Sequence, residues 1–158
     1  MICSMDPPRI LIAVDFSEAS RRALEAGERL ARDLHAGVVL AHAIAEVQGV
    51  SLAATSLGGS PQAAATAQAR MSVDEALKLS AEWAQGMRAA GLEVETVARE
   101  GIPEDVVLQA AEEHDVQLLV VGSHGLKGFK RFVLGSVVQT LLHRSRRPVL
   151  VIPAEETS

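Results

Sequence analysis

The stretch RILIAVD, Arg9–Asp15, is a nearly continuous aliphatic run closed by a carboxylate. An apolar run without alternation is the pattern of a strand buried on both faces, as in a parallel sheet covered by helices. Phe16 and Ser17 break the run; Ser17 suits a helix N-cap, and Glu18 puts negative charge where the helix macrodipole favours it. Ala19, Ala23, Ala26, Leu30 and Leu34 then recur at helical steps and predict the buried face of a first helix.

His35, Ala36 and Gly37 end that helix, and VVLAHAI (Val38–Ile44) reads as a second buried strand. From Ala45 to Ala69 the residues are mostly Ala, Ser, Gly, Thr and Gln, which predicts a mobile loop inserted in the domain, partly helical towards its end. Met71 to Ala90 returns to helical periodicity through Val73, Leu77, Ala84 and Met87, with Trp83 at the margin and Gly91 as the closing residue. Glu93 to Ala98 alternates like a more exposed edge strand. Pro103 opens a third helix with Val106, Val107, Ala110 and Ala111 inside, and QLLVV (Gln117–Val121) is a fourth strand. A fourth helix from Ser136 to Arg144 precedes the last strand, Val149–Ile152. Strands alternating with helices specify an α/β fold, a Rossmann-like open five-stranded parallel sheet with helices on both faces and right-handed crossovers. One domain over residues 1–158 is expected, with tails at 1–8 and 154–158.

A formal charge of -5 argues against a general nucleic-acid partner, since a backbone binder needs a basic face to neutralise phosphates. Aromatic residues make up only 3% of the chain, so the core must be aliphatic. Cys3 is the sole cysteine, which removes an intrachain disulfide or a Cys-rich zinc site. The first nine residues lack the pattern of a signal peptide, and no apolar run reaches the roughly 20 residues that span a bilayer, so a cytoplasmic protein away from membranes is expected.

Ligands of open α/β sheets bind beyond the carboxyl ends of the strands, where strand order reverses. Asp15 ends strand one, Ala43 lies near the end of strand two, and Gly122 follows strand four. After strand four come Gly122, Ser123, His124 and Gly125, then nine residues, then Gly135 and Ser136 at a helix start. Glycines admit close backbone approach, and unpaired N–H groups at a helix start favour phosphate. Neither GxxxxGK[ST] nor GxGxxG is present, so P-loop hydrolysis and dinucleotide chemistry lose their usual support. Asp15 has a second reading as a helix N-terminal charge, and His124 as a solvent-facing loop residue. Lys127, Lys130 and Arg131 could neutralise phosphates but read more readily as a solvated loop surface, and Arg144, Arg146 and Arg147 read as cations that complement a helix C-terminus. His35, His42, His114 and His143 have no metal-ligand spacing, and no metal site is assigned.

The pattern G-x2-G-x9-G-[ST] formed by Gly122, Gly125, Gly135 and Ser136 resembles the signature of the ATP-binding branch of the universal stress protein family. The resemblance extends to ILIAVDFSEASRRALEAG, VVLAHAI, GIPEDVVLQAAEEHDVQLLVVGSHG and RRPVLVIP, nearly the whole chain apart from the first eight residues, 45–69 and the tail. It implies ATP as ligand, with Asp15 and the backbone near Ala43 holding adenine and with Ala13 and Val14 lining its pocket. Gly122, His124, Gly125, Gly135, Ser136 and Val137 would take ribose and phosphates, and Mg²⁺ could arrive on those phosphates. It also implies a homodimer through strand 149–152. The function so implied is a nucleotide-dependent stress-response or signalling module, with no catalytic residue assigned and its protein partner unnamed. The alternative is a slow ATPase or phosphotransferase, for which His124 is the one general-base candidate. A response-regulator receiver would need clustered carboxylates at the strand ends, and strand one supplies only Asp15.

Overall fold

Ile10, Leu11 and Ile12 are all buried, which only a strand covered on both faces achieves. They form the middle of β1 (Arg9–Ala13) in a computed structural model that describes residues 6–44, 71–124 and 134–153. The loop 45–69, Cys3, Gly125, Lys127, Lys130, Arg131 and the tail 154–158 lie outside the described residues. The elements run β1, α1 (Glu18–Leu34), β2 (Gly37–Ile44), α2 (Val73–Ala89), β3 (Val94–Glu100), α3 (Pro103–Glu113), β4 (Leu118–Gly122), α4 (Ser136–Arg144) and β5 (Val149–Ile152). The five strands are parallel, in the order β3-β2-β1-β4-β5. The α/β sheet expected from the sequence is therefore the fold observed, and β3 is an edge strand as its alternation suggested.

Alternation along the strands sends successive side chains to opposite layers. Ile10, Ile12, Val38, Leu40 and Val120 meet α1 and α2 through Ala23, Leu24, Ala31, Ala84 and Met87. Leu11, Val39, Ala41, Leu119 and Val121 meet α3 and α4 through Val107, Ala110, Ala111, Val138 and Leu141.

Local chemistry sets the helix ends. Ser17 accepts the Ser20 N–H at 3.2 Å as the N-cap of α1. Ser72 and Glu75 form a reciprocal capping box on α2, and the backbone N–H of Ser72 holds the Glu75 carboxyl below the usual carboxylate range. Gly91, at φ 86, follows α2 in the left-handed region that glycine tolerates.

The face of α1 differs from the expectation. The helix buries Ser20, Ala23, Leu24, Gly27 and Ala31, whereas Leu34 is 50% exposed and Ala26 and Leu30 are only partly covered. The reason is close approach: a methyl built on Gly27 would stand 2.5 Å from Ile12 Cδ1. The centre of the contact is made of the smallest residues, with the large apolar ones at its margin. The turn after α1 falls where expected: His35 caps the helix in the left-handed conformation, at φ 53, and Gly37 begins β2.

Candidate functional site

From β1 the chain moves outward through β2 to β3, then returns to the other side of β1 for β4 and β5. The connections after β1 and β4 diverge at the carboxyl edge, and the crevice between them is where such sheets receive ligands. Asp15 and Gly122 stand on its two sides, as their sequence positions implied.

On the β1 side, the last β1–β2 register pair is Ala13 with Ala41. Val14 adds one bond, its N–H donating to the Ala41 carbonyl at 2.9 Å. A parallel ladder would continue with the Ala43 N–H donating to the Val14 carbonyl. That carbonyl instead accepts from Nδ1 of His42, at 2.8 Å. Because a carbonyl only accepts, Nδ1 carries the proton and the tautomer is fixed. The Ala41 carbonyl faces β1 and the Ile44 carbonyl faces β3, where it accepts from the Gly101 N–H at 3.0 Å. Alternation then turns the Ala43 N–H and carbonyl towards β1, beyond the point where β1 has ended.

Asp15 sits in the turn after Val14, where its Oδ1 accepts the Ser17 N–H at 3.0 Å. Phe16 takes φ 62, unusual for a residue with a side chain. Its ring lies 4.4 Å from the His42 ring and meets Trp83 edge-on at 5.2 Å, with the Arg21 guanidinium 4.5 Å from the centre of the Trp83 ring. Ala13 packs against the α3/α4 layer, whereas Val14 is buried in the opposite layer. Of the two residues assigned to the pocket wall, Ala13 thus offers a side chain to the α3/α4 side, and Val14 reaches that side only through backbone.

On the β4 side, the Ser123 N–H donates to the Ile152 carbonyl at 2.9 Å, and the Ser123 carbonyl accepts the Gly135 N–H at 2.9 Å. Ser123 and Gly135 are thereby joined to each other and to the end of β5. Ser123 Oγ lies 3.0 Å from His124 Nδ1. Gly135 is the N-cap of α4 and has no side chain to satisfy the first turn, so Ser136 and Val137 begin the helix with the orphan N–H groups that every helix start carries. Val137 also packs against the α3/α4 layer, the side on which Ala13 lies.

The two glycines have different reasons to be glycine. A methyl on Gly122 would stand 2.8 Å from the Ala19 carbonyl oxygen, so this residue lets the first turn of α1 lie against β4. A methyl on Gly135 would meet nothing closer among the described residues than His124 Cα at 3.5 Å, an ordinary contact, at φ -60. Among the described residues, packing requires the first glycine and does not require the second.

His42, Phe16 and Trp83 carried no functional reading in the sequence. A register partner that bonds through its side chain leaves no local signal, although a histidine inside an aliphatic strand is itself an anomaly. Among the described residues no group of three His, Cys, Asp or Glu side chains is placed to hold a metal. Two open depressions lie elsewhere among the described residues. One, of about 320 Å³, is walled by α3 and the segment after α4, where Arg144 pairs with Asp105 and Arg147 bonds the Val116 carbonyl. We read it as a seam between α3 and the segment that leads into β5, because Asp105, Arg144 and Arg147 are committed to these bonds and not to an open centre. Arg144 and Arg147 thus make specific tertiary bonds in addition to standing at the end of α4. Among the described residues no helix is long and apolar enough to cross a membrane.

Residues 8–153 match the universal stress protein family. Universal stress protein YxiE of Bacillus subtilis is 30% identical over 144 residues, covering 91% of this chain and 97% of the relative. The solved structure of MJ0577, a universal stress protein of Methanocaldococcus jannaschii, superposes with a TM-score of 0.74 at 26% identity, covering 96% of this chain and 99% of that one. A universal stress protein solved in complex with cAMP superposes with a TM-score of 0.61 at 25% identity, covering 94% of this chain and 98% of that one.

Proposed function

The chain belongs to the universal stress protein family, and from that premise we propose that it is a nucleotide-dependent stress-response module whose ligand is ATP. The observation that carries the reading is the Ala43 backbone, whose N–H and carbonyl face the crevice past the end of β1. A donor and an acceptor side by side match the edge of an adenine ring, and the small side chains of Ala13 and Ala43 leave room for it. Asp15 stands beside them at the end of β1. The second support is Gly135, which nothing described in the fold requires to be glycine and which opens a helix start suited to phosphate. His124, Ser136 and Val137 flank that point, Gly122 ends β4 on the same side, and Gly125 belongs to the same sequence pattern. Mg²⁺ would enter on the phosphates. The cAMP held by one relative is the same class of ligand, an adenine nucleotide.

Dimerisation through β5 and residence in the cytoplasm are parts of this reading. Leu150 is 39% exposed on an edge strand, and the Ser123–Ile152 bond gives the loop a direct tie to that strand. Slow hydrolysis is the second reading, favoured by the Ser123–His124 contact, the described side-chain pair nearest the loop that could pass a proton.

The test is calorimetric titration with ATP. Gly135→Val should abolish measurable affinity while leaving the circular dichroism spectrum intact, because its backbone angles suit a side chain and a Cβ there meets only ordinary contacts among the described residues. Ser136→Ala should cost about 1.5–3 kcal/mol if its hydroxyl bonds a charged phosphate oxygen. Wild-type affinity in Gly135→Val would move the phosphates to another loop.

A further inference from the structure

We infer that His42 is the positioning residue of the nucleobase site: by taking the Val14 carbonyl it ends the β1–β2 ladder one bond early and leaves the Ala43 N–H for a ligand. The inference rests on the adenine reading of the crevice for its ligand, but the clamp itself is a property of the free protein.

Val14 and His42 stand at the next register position after Ala13 and Ala41. The Val14 N–H makes its ladder bond, so the strands are still at pairing distance there. The bond that should follow, from Ala43 N–H to Val14 carbonyl, is replaced by the bond from His42 Nδ1. A buried carbonyl must be satisfied, and a side chain that satisfies it releases the competing backbone donor. His42 is only 9% exposed and stacked on Phe16, so the imidazole has little freedom to leave. Phe16 in turn holds its left-handed turn with its ring fixed between His42 and Trp83, and Asp15 lies within that turn. One side chain on the α1/α2 face of the sheet thus determines which backbone groups are presented on the crevice side.

Three variants of the full chain separate this from a plain structural role. His42→Phe keeps the ring and removes the donor; His42→Asn puts an amide nitrogen near the Nδ1 position; His42→Gln puts it one bond further out and serves in place of His42→Phe should that variant not fold. Amide hydrogen exchange is read at Ala43 without nucleotide, and ATP affinity is read by calorimetry. In the wild type the Ala43 amide should exchange quickly for a strand residue. In His42→Phe the ladder closes on Ala43, so its exchange should slow, and ATP affinity should fall roughly threefold to tenfold, the worth of one hydrogen bond. His42→Asn should recover most of the affinity and the fast exchange. Removal of a bond raising protection at a neighbouring amide is an outcome that general destabilisation cannot produce. A slowly exchanging Ala43 amide in the wild type overturns the inference, and so does equal loss of affinity in His42→Phe and His42→Asn in step with melting temperature. If the wild type binds no adenine nucleotide, the proposed function falls, and Ala43 exchange alone still decides for or against the clamp.

Discussion

Gly122 and Gly135 look alike in the sequence, two glycines on either side of one stretch, and the structure surrounds them differently. At Gly122 the atom in the way is the Ala19 carbonyl oxygen, part of a helix backbone that cannot swing aside. Gly122→Ala should therefore lower stability by about 1–3 kcal/mol, the usual cost of overpacking. Gly135→Ala meets only ordinary contacts at backbone angles common for alanine, and as an N-cap change it should stay within about 1 kcal/mol of the wild type. Urea titrations of both variants check the difference; equal destabilisation would mean that Gly135 is also required by the fold. The proposal that these are phosphate-approach glycines rests on their placement after a strand and before a helix and on the family pattern. Their division is not legible there, because it depends on what lies across from each, and Ala19 is distant from Gly122 along the chain. Val14 is a similar case: the family resemblance implies a pocket wall, but strand alternation buries its side chain among the α1/α2 residues.

At the scale of elements, legibility followed burial. Strands covered on both faces must be aliphatic throughout, so RILIAVD, VVLAHAI and QLLVV are legible as strands; VLVI is aliphatic too although it lies at the sheet edge, and α3 shows its inner face through Val106, Val107, Ala110 and Ala111. Helix α1 was read with its face turned, because the position closest to the sheet is Gly27, which contributes nothing to an apolar count. Close helix–sheet contact selects for smallness, which periodicity of large residues does not detect. Strand β5 carries the prediction that belongs here. Val151 packs into the α3/α4 layer, whereas Leu150 points away from the core at 39% exposure on an edge strand with apolar neighbours. If β5 pairs with its copy in a homodimer, Leu150→Lys puts a charge at the centre of that contact without disturbing the monomer core. Sedimentation should show a shift from dimer to monomer; an unchanged dimer would place the interface on another surface.

For the whole molecule, the parallel sheet decides how stability is distributed. Each strand but the two edges is paired on both sides, and the same three central strands, β2, β1 and β4, support the helical layers on both faces. Neither layer can be removed without exposing the aliphatic face of strands that the other layer needs, so we propose that residues 1–158 form one domain that unfolds as one unit. Trp83 is the sole tryptophan and touches Phe16 and Arg21, residues of the β1–α1 turn and of α1, so its fluorescence reports the packing of α2 on the first part of the chain. Far-ultraviolet circular dichroism reports helix throughout, including α3 and α4 on the opposite face. The two signals followed through one urea titration should give coincident transitions with the same midpoint and slope. If the α1/α2 layer were an independently melting unit, fluorescence would change first while α3 and α4 still contributed dichroism, and the transitions would separate. Saturating ATP should move both transitions together to higher urea by the same amount, because a ligand bound between β1 and α4 stabilises only the state in which both halves are assembled. A ligand-induced shift in one signal and not the other would show that the crevice and the opposite layer are not energetically one body.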